Sequence, residues 1–217
     1  MTLGIGLIKL AALACGVELA VYWGTVLVKS WRIASKIGKD PNMVPRERVG
    51  QWMRVLWGPA VLAWCIQPWL FGLAAGFGRG QPPWILASVA GTGLMARLLA
   101  AAGAGGGAVC LGLTFICWRQ MGRSWRIGID PGEKTELVVR GAYRFVRHPI
   151  YSLSMFLMIG TVLAVPTPLM FLTALVHISM LQVEARREEG YLIKLHGSHY
   201  EKYRQTVGRF LPRPWKQ

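Results

Sequence analysis

The sequence has 217 residues, of which 53% are hydrophobic and only 16% are charged. This composition excludes an ordinary soluble domain and is typical of a membrane protein. Lys and Arg number 25 against 10 Asp and Glu, giving a net charge of +15. In a soluble protein that charge would favour nucleic acid as a partner, so its distribution along the chain decides the class.

Five apolar stretches are candidate membrane helices. In chain order they lie at residues 3 to 28, 55 to 77, about 98 to 118, 150 to 165 and 169 to 183. The first two satisfy the requirement of about 20 residues for a crossing. The last two are only about 24 Å long at 1.5 Å per residue. Pro166-Thr-Pro168 joins them, which predicts a tight helical hairpin.

The basic residues concentrate between these stretches. Seven lie in residues 29 to 54, seven in 119 to 148 and eight in 184 to 217. A single crossing within residues 84 to 118, after an interfacial stretch that begins at Pro82, puts all three segments on one face, as the positive-inside rule requires. The predicted fold is therefore an all-α, polytopic bundle of about five membrane helices, with the N-terminus outside, the C-terminus cytoplasmic and no nucleic-acid partner.

Two regions are expected within this bundle. Residues 1–118 form three N-terminal spans, and residues 119–217 contain an interfacial segment, the transmembrane hairpin and a cytoplasmic tail. Gly103 and Gly107 have the small-xxx-small spacing that lets membrane helices approach closely, so helix packing is their predicted role. The four cysteines lie in apolar spans without a Cys-x-x-Cys motif, and we interpret them as free packing residues.

Two ionisable residues fall inside the spans, where each costs at least about 2.5 kcal/mol at mid-bilayer. Glu18 is interpreted equally as a carboxylate bonded to a neighbouring Tyr or Trp and as a substrate contact. For His177 a structural hydrogen bond is the favoured interpretation. Its spacing nevertheless puts it on the same helix face as Glu184 and Glu188, about three turns from the acidic pair.

The acidic pair Glu188-Glu189 follows the fifth span, on a helix that we expect to end at Gly197 as a C-cap. A solvated helix face is the simplest interpretation. It does not explain why acidic residues concentrate beside the membrane exit, where anionic headgroups favour cations. A positively charged ligand would explain their position.

The motifs in the C-terminal half of the chain resemble those of a known family. Arg147-His-Pro-Ile-Tyr151, a hydrophobic hairpin, Glu188-Glu189 and the tail from Leu192 to Pro212, with its Val207-Gly-Arg-Phe-Leu-Pro212 end, occur in that order. The pattern is similar to the C-terminal half of the isoprenylcysteine carboxyl methyltransferase and phospholipid methyltransferase family. These are integral membrane enzymes that use S-adenosylmethionine. The resemblance runs from about Gly122 to Pro212.

The resemblance implies a cytoplasmic cofactor site and a lipid-like acceptor, isoprenoid or phospholipid, that enters from the bilayer. The implied cofactor-binding residues are Tyr143, His148, Pro149, Tyr151, Glu188 and Glu189. In the family's eukaryotic carboxyl methyltransferases a catalytic arginine lies about one turn before the acidic residues. This chain has Glu184 there, with Arg186 and Arg187 adjoining the pair, so Arg187 and Glu184 are the candidate catalytic residues. The resemblance implies no metal.

Two other functions remain open. Membrane sterol or enone reductases that use NADPH share a similar Arg-His-Pro-x-Tyr and Arg-acidic-Glu arrangement, here Arg187-Glu188-Glu189. Against a reductase, no basic cluster is clearly dedicated to a 2′-phosphate. A transporter or scaffold with Glu18 and His177 along its path is the third interpretation. The group that would be methylated, whether carboxylate, amine or hydroxyl, stays open as well.

Overall fold

A computed structural model describes residues 2–37, 48–73, 84–122 and 137–213. Within these ranges the chain is helical. The helices are α1 (Thr2–Ile37), α2 (Arg48–Gly72), α3 (Leu94–Met121), α4 (Pro149–Ala164), α5 (Pro168–His196) and α6 (Ser198–Thr206). Short 3-10 turns occupy Trp84–Leu86 and Gly141–Arg144. The prediction of an all-α polytopic bundle is confirmed.

Four of these helices, α1, α2, α3 and α5, are long and apolar enough to cross a membrane. The fourth of the five predicted spans corresponds to α4, a shorter apolar helix of 16 residues, or about 24 Å. Two helices extend well beyond the apolar stretches that predicted them: α1 continues through its basic end to Ile37, and α5 runs on to His196. Most of the predicted interfacial segment after α3 lies outside the described residues, as do Pro82 and Pro83.

The most extensive packing in the bundle is that of α3 against α4. A Cβ on Gly103 would collide with the backbone oxygen of Gly160, and a Cβ on Gly160 would lie 2.6 Å from the oxygen of Gly103. One turn further along α3, a Cβ on Gly107 would collide with the Glu18 carboxylate of α1. The packing role predicted for Gly103 and Gly107 is therefore confirmed, because both backbones contact neighbouring helices. The four cysteines are free, as predicted.

Buried polar side chains join the helices within the apolar region. Trp57 Nε1 donates to His177 Nδ1 over 3.0 Å, and His177 Nε2 lies 3.0 Å from Ser154 Oγ. Because the indole nitrogen can only donate, Nδ1 must accept and Nε2 carries the proton. The structural hydrogen bond favoured for His177 is confirmed. For Glu18, by contrast, Oε2 is buried without a hydrogen-bond partner among the described residues.

The predicted hairpin is present between α4 and α5. Val165 to Thr167 make the turn, and Thr167 caps α5 by accepting a hydrogen bond from the Met170 backbone N–H at 3.1 Å. Pro168 follows the cap at the first helical position, where its missing N–H costs nothing. At the other end, α5 stops at Gly197, whose φ of 53° only glycine adopts readily. Gly197 is therefore the C-cap that the sequence predicts.

Candidate functional site

The start of α4, the second half of α5 and the tail after α6 meet at one end of the bundle. His148 occupies the N-cap position of α4, without a side-chain capping bond, and Pro149 is the first residue of the helix. The tail returns to this point because the Arg147 and His148 N–H groups donate to the carbonyls of Gly208 and Arg209 over 2.8 and 3.0 Å. These two bonds attach the last described segment of the chain to the Arg147-His-Pro motif.

Glu189 is the centre of a buried ion cluster. Its side chain is only 4% exposed. Arg147 donates to Oε1 from Nε and Nη2 over 3.1 and 2.8 Å. Arg209 donates from Nε to Oε1 and from Nη2 to Oε2, over 2.8 and 2.7 Å. Arg147 also donates to the backbone oxygens of Arg204 and Val207. Two guanidinium groups thus occupy most of the accepting capacity of Glu189.

Glu188 is in a more open environment. Its side chain is 24% exposed, and its Oε1 accepts a hydrogen bond from the Tyr151 hydroxyl. Its Oε2 lies 3.4 Å from His148 Nδ1. Tyr151 stacks on His148, with ring centroids 5.4 Å apart and planes within 2°. Glu188 therefore contacts the Tyr151 hydroxyl and the His148 ring, and part of its carboxylate remains exposed to accept further hydrogen bonds.

His148 lies between the two carboxylates. Its Nε2 is 3.3 Å from Glu189 Oε1 but has no hydrogen bond in the described residues, so that contact is electrostatic rather than directional. Burial lowers the pKa of His148, and the Glu188 and Glu189 carboxylates more than offset this, so its pKa is raised above the ordinary 6.5. A protonated imidazole between two carboxylates is the form that this geometry favours.

The tail closes this end of the bundle. Ser152 Oγ bonds to the backbone oxygen of Phe210 over 2.7 Å, and the Phe210 ring lies 5.9 Å from the His148 ring. The Tyr203 hydroxyl donates to the Tyr143 carbonyl over 2.5 Å. Tyr143 itself is buried, in the 3-10 turn that precedes the motif. The tail therefore fixes both the turn before His148 and the first turn of α4.

The two candidate catalytic residues form an ion pair, with Glu184 one turn before Glu188 and Arg187 directly adjoining it. Arg187 Nη1 bonds to Glu184 Oε2 and lies 3.4 Å from the sulfur of Met53 on α2. Glu184 is buried, and Arg187 is 19% exposed. Glu184 therefore lies one turn closer than Glu188 to the apolar part of α5.

Every residue predicted for the site lies in this region or borders it, and three further residues complete it. Arg147 belongs to the motif but was not singled out as a site residue. Arg209 contacts Glu189 directly, and Ser152 bonds to the tail at Phe210, yet nothing in their local sequence separates them from other surface arginines and helix serines. The tail motif that ends at Pro212 was the available signal, since it includes Arg209.

The fold and the site together define a helical membrane protein with a charged, partly open site at one end of the bundle. Residues 99–199 match the family model of phospholipid methyltransferase. This part of the chain is a domain of that family of integral membrane methyltransferases, which includes the isoprenylcysteine carboxyl methyltransferases, so the resemblance is confirmed. No curated protein and no solved structure shows significant similarity to the chain.

Proposed function

We propose that this protein transfers a methyl group from S-adenosylmethionine to a lipid-like acceptor in the membrane, at the site formed by α4, α5 and the tail. The observation that carries the proposal is the phospholipid methyltransferase domain at residues 99–199. The proposed region of residues 119–217 contains the whole charged cluster, and residues 1–118 supply the three other long helices. In the proposed orientation this end of the bundle faces the cytoplasm, where the cofactor is made.

The residues present fit the charge of the cofactor. When bound, S-adenosylmethionine supplies an electrophilic methyl group on a sulfonium, and its ammonium is a second positive charge. Glu188 is the partner proposed for the ammonium, because it is 24% exposed and accepts from only one described side-chain hydroxyl. Glu189 contributes in a different way. Since Arg147 and Arg209 surround it, we assign it to holding the site together, beside the cofactor's polar end.

The remaining cofactor residues shape the pocket around Glu188. Tyr151 orients the Glu188 carboxylate through its hydroxyl, and His148 supports Tyr151 by stacking. Pro149 fixes the start of α4 and so the direction in which both rings project. Tyr143 lies in the turn that Tyr203 attaches to the tail. These contacts preorganise the pocket, which lowers the entropic cost of binding a flexible cofactor.

Arg187 and Glu184 are proposed to meet the acceptor. Methyl transfer is an in-line displacement, so holding the acceptor atom on the line of the breaking bond supplies much of the acceleration. Arg187 is suited to orienting an anionic group of the acceptor, and Glu184 to receiving a proton if the acceptor is an amine or hydroxyl. The pairing of the two side chains keeps both charges compensated before the acceptor arrives.

Calorimetry with S-adenosylhomocysteine, the reaction product, tests the proposal in purified protein. The parent is expected to bind it, and Glu188→Gln to bind at least tenfold more weakly. The physical reason is that hydrogen bonds to charged groups are worth about 1.5 to 3 kcal/mol, and 1.4 kcal/mol is about a factor of ten. Glu201→Gln is the matched control, because Glu201 is exposed on α6 away from the cluster.

The same experiment separates the two enzyme classes. If NADPH gives a heat of binding and S-adenosylhomocysteine gives none, the methyltransferase assignment is wrong and a reductase is the better assignment. The purified protein and its co-purified lipids would then be incubated with methyl-labelled cofactor. Extraction of the lipids and mass spectrometry would identify the acceptor class. Label in no lipid fraction, despite tight cofactor binding, would refute a lipid-like acceptor.

A further inference from the structure

A cavity lies at the end of the bundle opposite the charged cluster. Its volume is about 490 Å³, within the range of about 300 to 1,000 Å³ that ligand sites occupy. The walls come from the start of α1, the end of α2, the start of α3, the α4–α5 turn and residues 86–92. Most of the lining is aliphatic or aromatic, including Ile8, Leu70 and Phe71. Such a lining favours a hydrocarbon chain.

One ionisable side chain lines this cavity in the described part of the chain, and it is the ammonium of Lys9. The sequence has no Asp or Glu at residues 1–17, 48–129 or 137–183, and the helix ends and turns that form the cavity all fall within these ranges. The first carboxylate along α1 is Glu18, nine residues further on, or about 13.5 Å. It faces Gly107.

We propose that this cavity is a binding site for an anionic lipid, with an acyl or polyprenyl chain in the apolar part and a carboxylate or phosphate head on Lys9. A positive charge within an apolar wall needs a counterion or water, because its desolvation is costly. The described residues place no carboxylate at this end of the bundle, so an exogenous anion is the complementary partner. The cavity's apolar walls bind the chain of that same molecule.

The lipid site is separate from the proposed methyl-transfer site. The two lie at opposite ends of α4: Val162 to Ala164 line the cavity, whereas His148 and Tyr151 belong to the charged cluster. The length of α4 is 16 residues, which is about 24 Å. The lipid head on Lys9 is therefore far from the cofactor residues, and the bound lipid is a structural or regulatory ligand rather than the acceptor.

Fluorescence titration of the purified, delipidated protein tests this site. The probe is cis-parinaric acid, observed by energy transfer from the tryptophans, and its neutral methyl ester is the matched ligand. The acid is expected to bind at least tenfold more tightly than the ester. Lys9→Gln should remove that preference while leaving ester binding unchanged. Arg97→Gln should keep the preference, because Arg97 is a cation on α3 that does not line the cavity.

Ala96 lines the cavity from α3, and Ala96→Phe should fill it and weaken both probes. Displacement of the acid by octadecyl phosphate or by oleate then shows which head the site prefers, and either result supports an anionic ligand. Equal binding of acid and ester to the parent would overturn the proposal without needing a variant. So would unchanged acid binding in Lys9→Gln. Neither outcome bears on S-adenosylhomocysteine binding, which is measured separately on the same preparation.

Discussion

Replacing Glu189 by Gln should destabilise the protein, whereas the same change at Glu188 should mainly weaken cofactor binding. Glu189 accepts four hydrogen bonds from Arg147 and Arg209, and its side chain is 4% exposed. Gln removes the charge and offers a donor where guanidinium groups also donate. Arg147, itself 6% exposed, is left buried without its counterion.

The magnitude follows from that burial. Removing one partner of a buried ion pair costs about 3 to 5 kcal/mol, most of it from the charge left behind. For a chain of this length 1 kcal/mol corresponds to about 2–4 °C in the unfolding midpoint. The apparent midpoint of Glu189→Gln in detergent should therefore fall by at least about 6 °C. Glu201→Gln, an exposed substitution, should stay within about 0.5 kcal/mol of the parent.

A double-mutant cycle identifies the partner. If Arg209 acts through Glu189, Arg209→Gln should cost less in the Glu189→Gln background than in the parent, with a coupling of about 0.5 to 3 kcal/mol. The measurement is intrinsic fluorescence or circular dichroism during heating, at one detergent concentration. A Glu189→Gln midpoint within 2 °C of the parent, or additive effects in the double variant, would show that the ion cluster does not hold the tail in place.

The raised pKa of His148 means that its stabilising contribution is fully present below its unfolded value of about 6.5 and is lost as pH rises through the folded value. The unfolding midpoint should therefore fall across that window in the parent and change less in His148→Gln. Gly103→Ala should lower the midpoint because its Cβ would collide with the α4 backbone, while Gly105→Ala, with open space around it, should be neutral or slightly stabilising. In a cysteine-free background, a cysteine at Gly93 should react with impermeant reagents in intact cells and one at Glu201 should not. The reverse pattern would contradict the proposed orientation.

Sequence and structure agree best where local composition decides the structure. Hydrophobic length predicted the long helices and the proline-flanked hairpin, since helix formation in a bilayer depends mainly on local composition. Gly197 ends α5 because a left-handed backbone there suits glycine. The order of the motifs was enough to predict the family, and the match at residues 99–199 confirms that prediction. The cofactor and catalytic residues remain predictions.

The different environments of Glu188 and Glu189 could not be predicted from their adjacency. Consecutive residues on a helix point about 100° apart, so one carboxylate faces the returning tail and the other faces Tyr151 and the open side. The rotation of α5 about its axis, relative to α4, decides which of the two carboxylates faces the tail. Likewise, α1 extends further than its apolar stretch because a helix end need not coincide with the membrane boundary.

The sequence by itself thus determined the membrane class, the approximate spans, the hairpin and the motif order that matches the family, because composition and motif order are local properties of the chain. Only the tertiary structure decided that Arg209 closes on Glu189, that Glu188 stays open, and that Lys9 lines a cavity far from both. These facts depend on contacts between segments distant in sequence, such as residues 147 and 209, and such contacts form only when the bundle and its tail pack together.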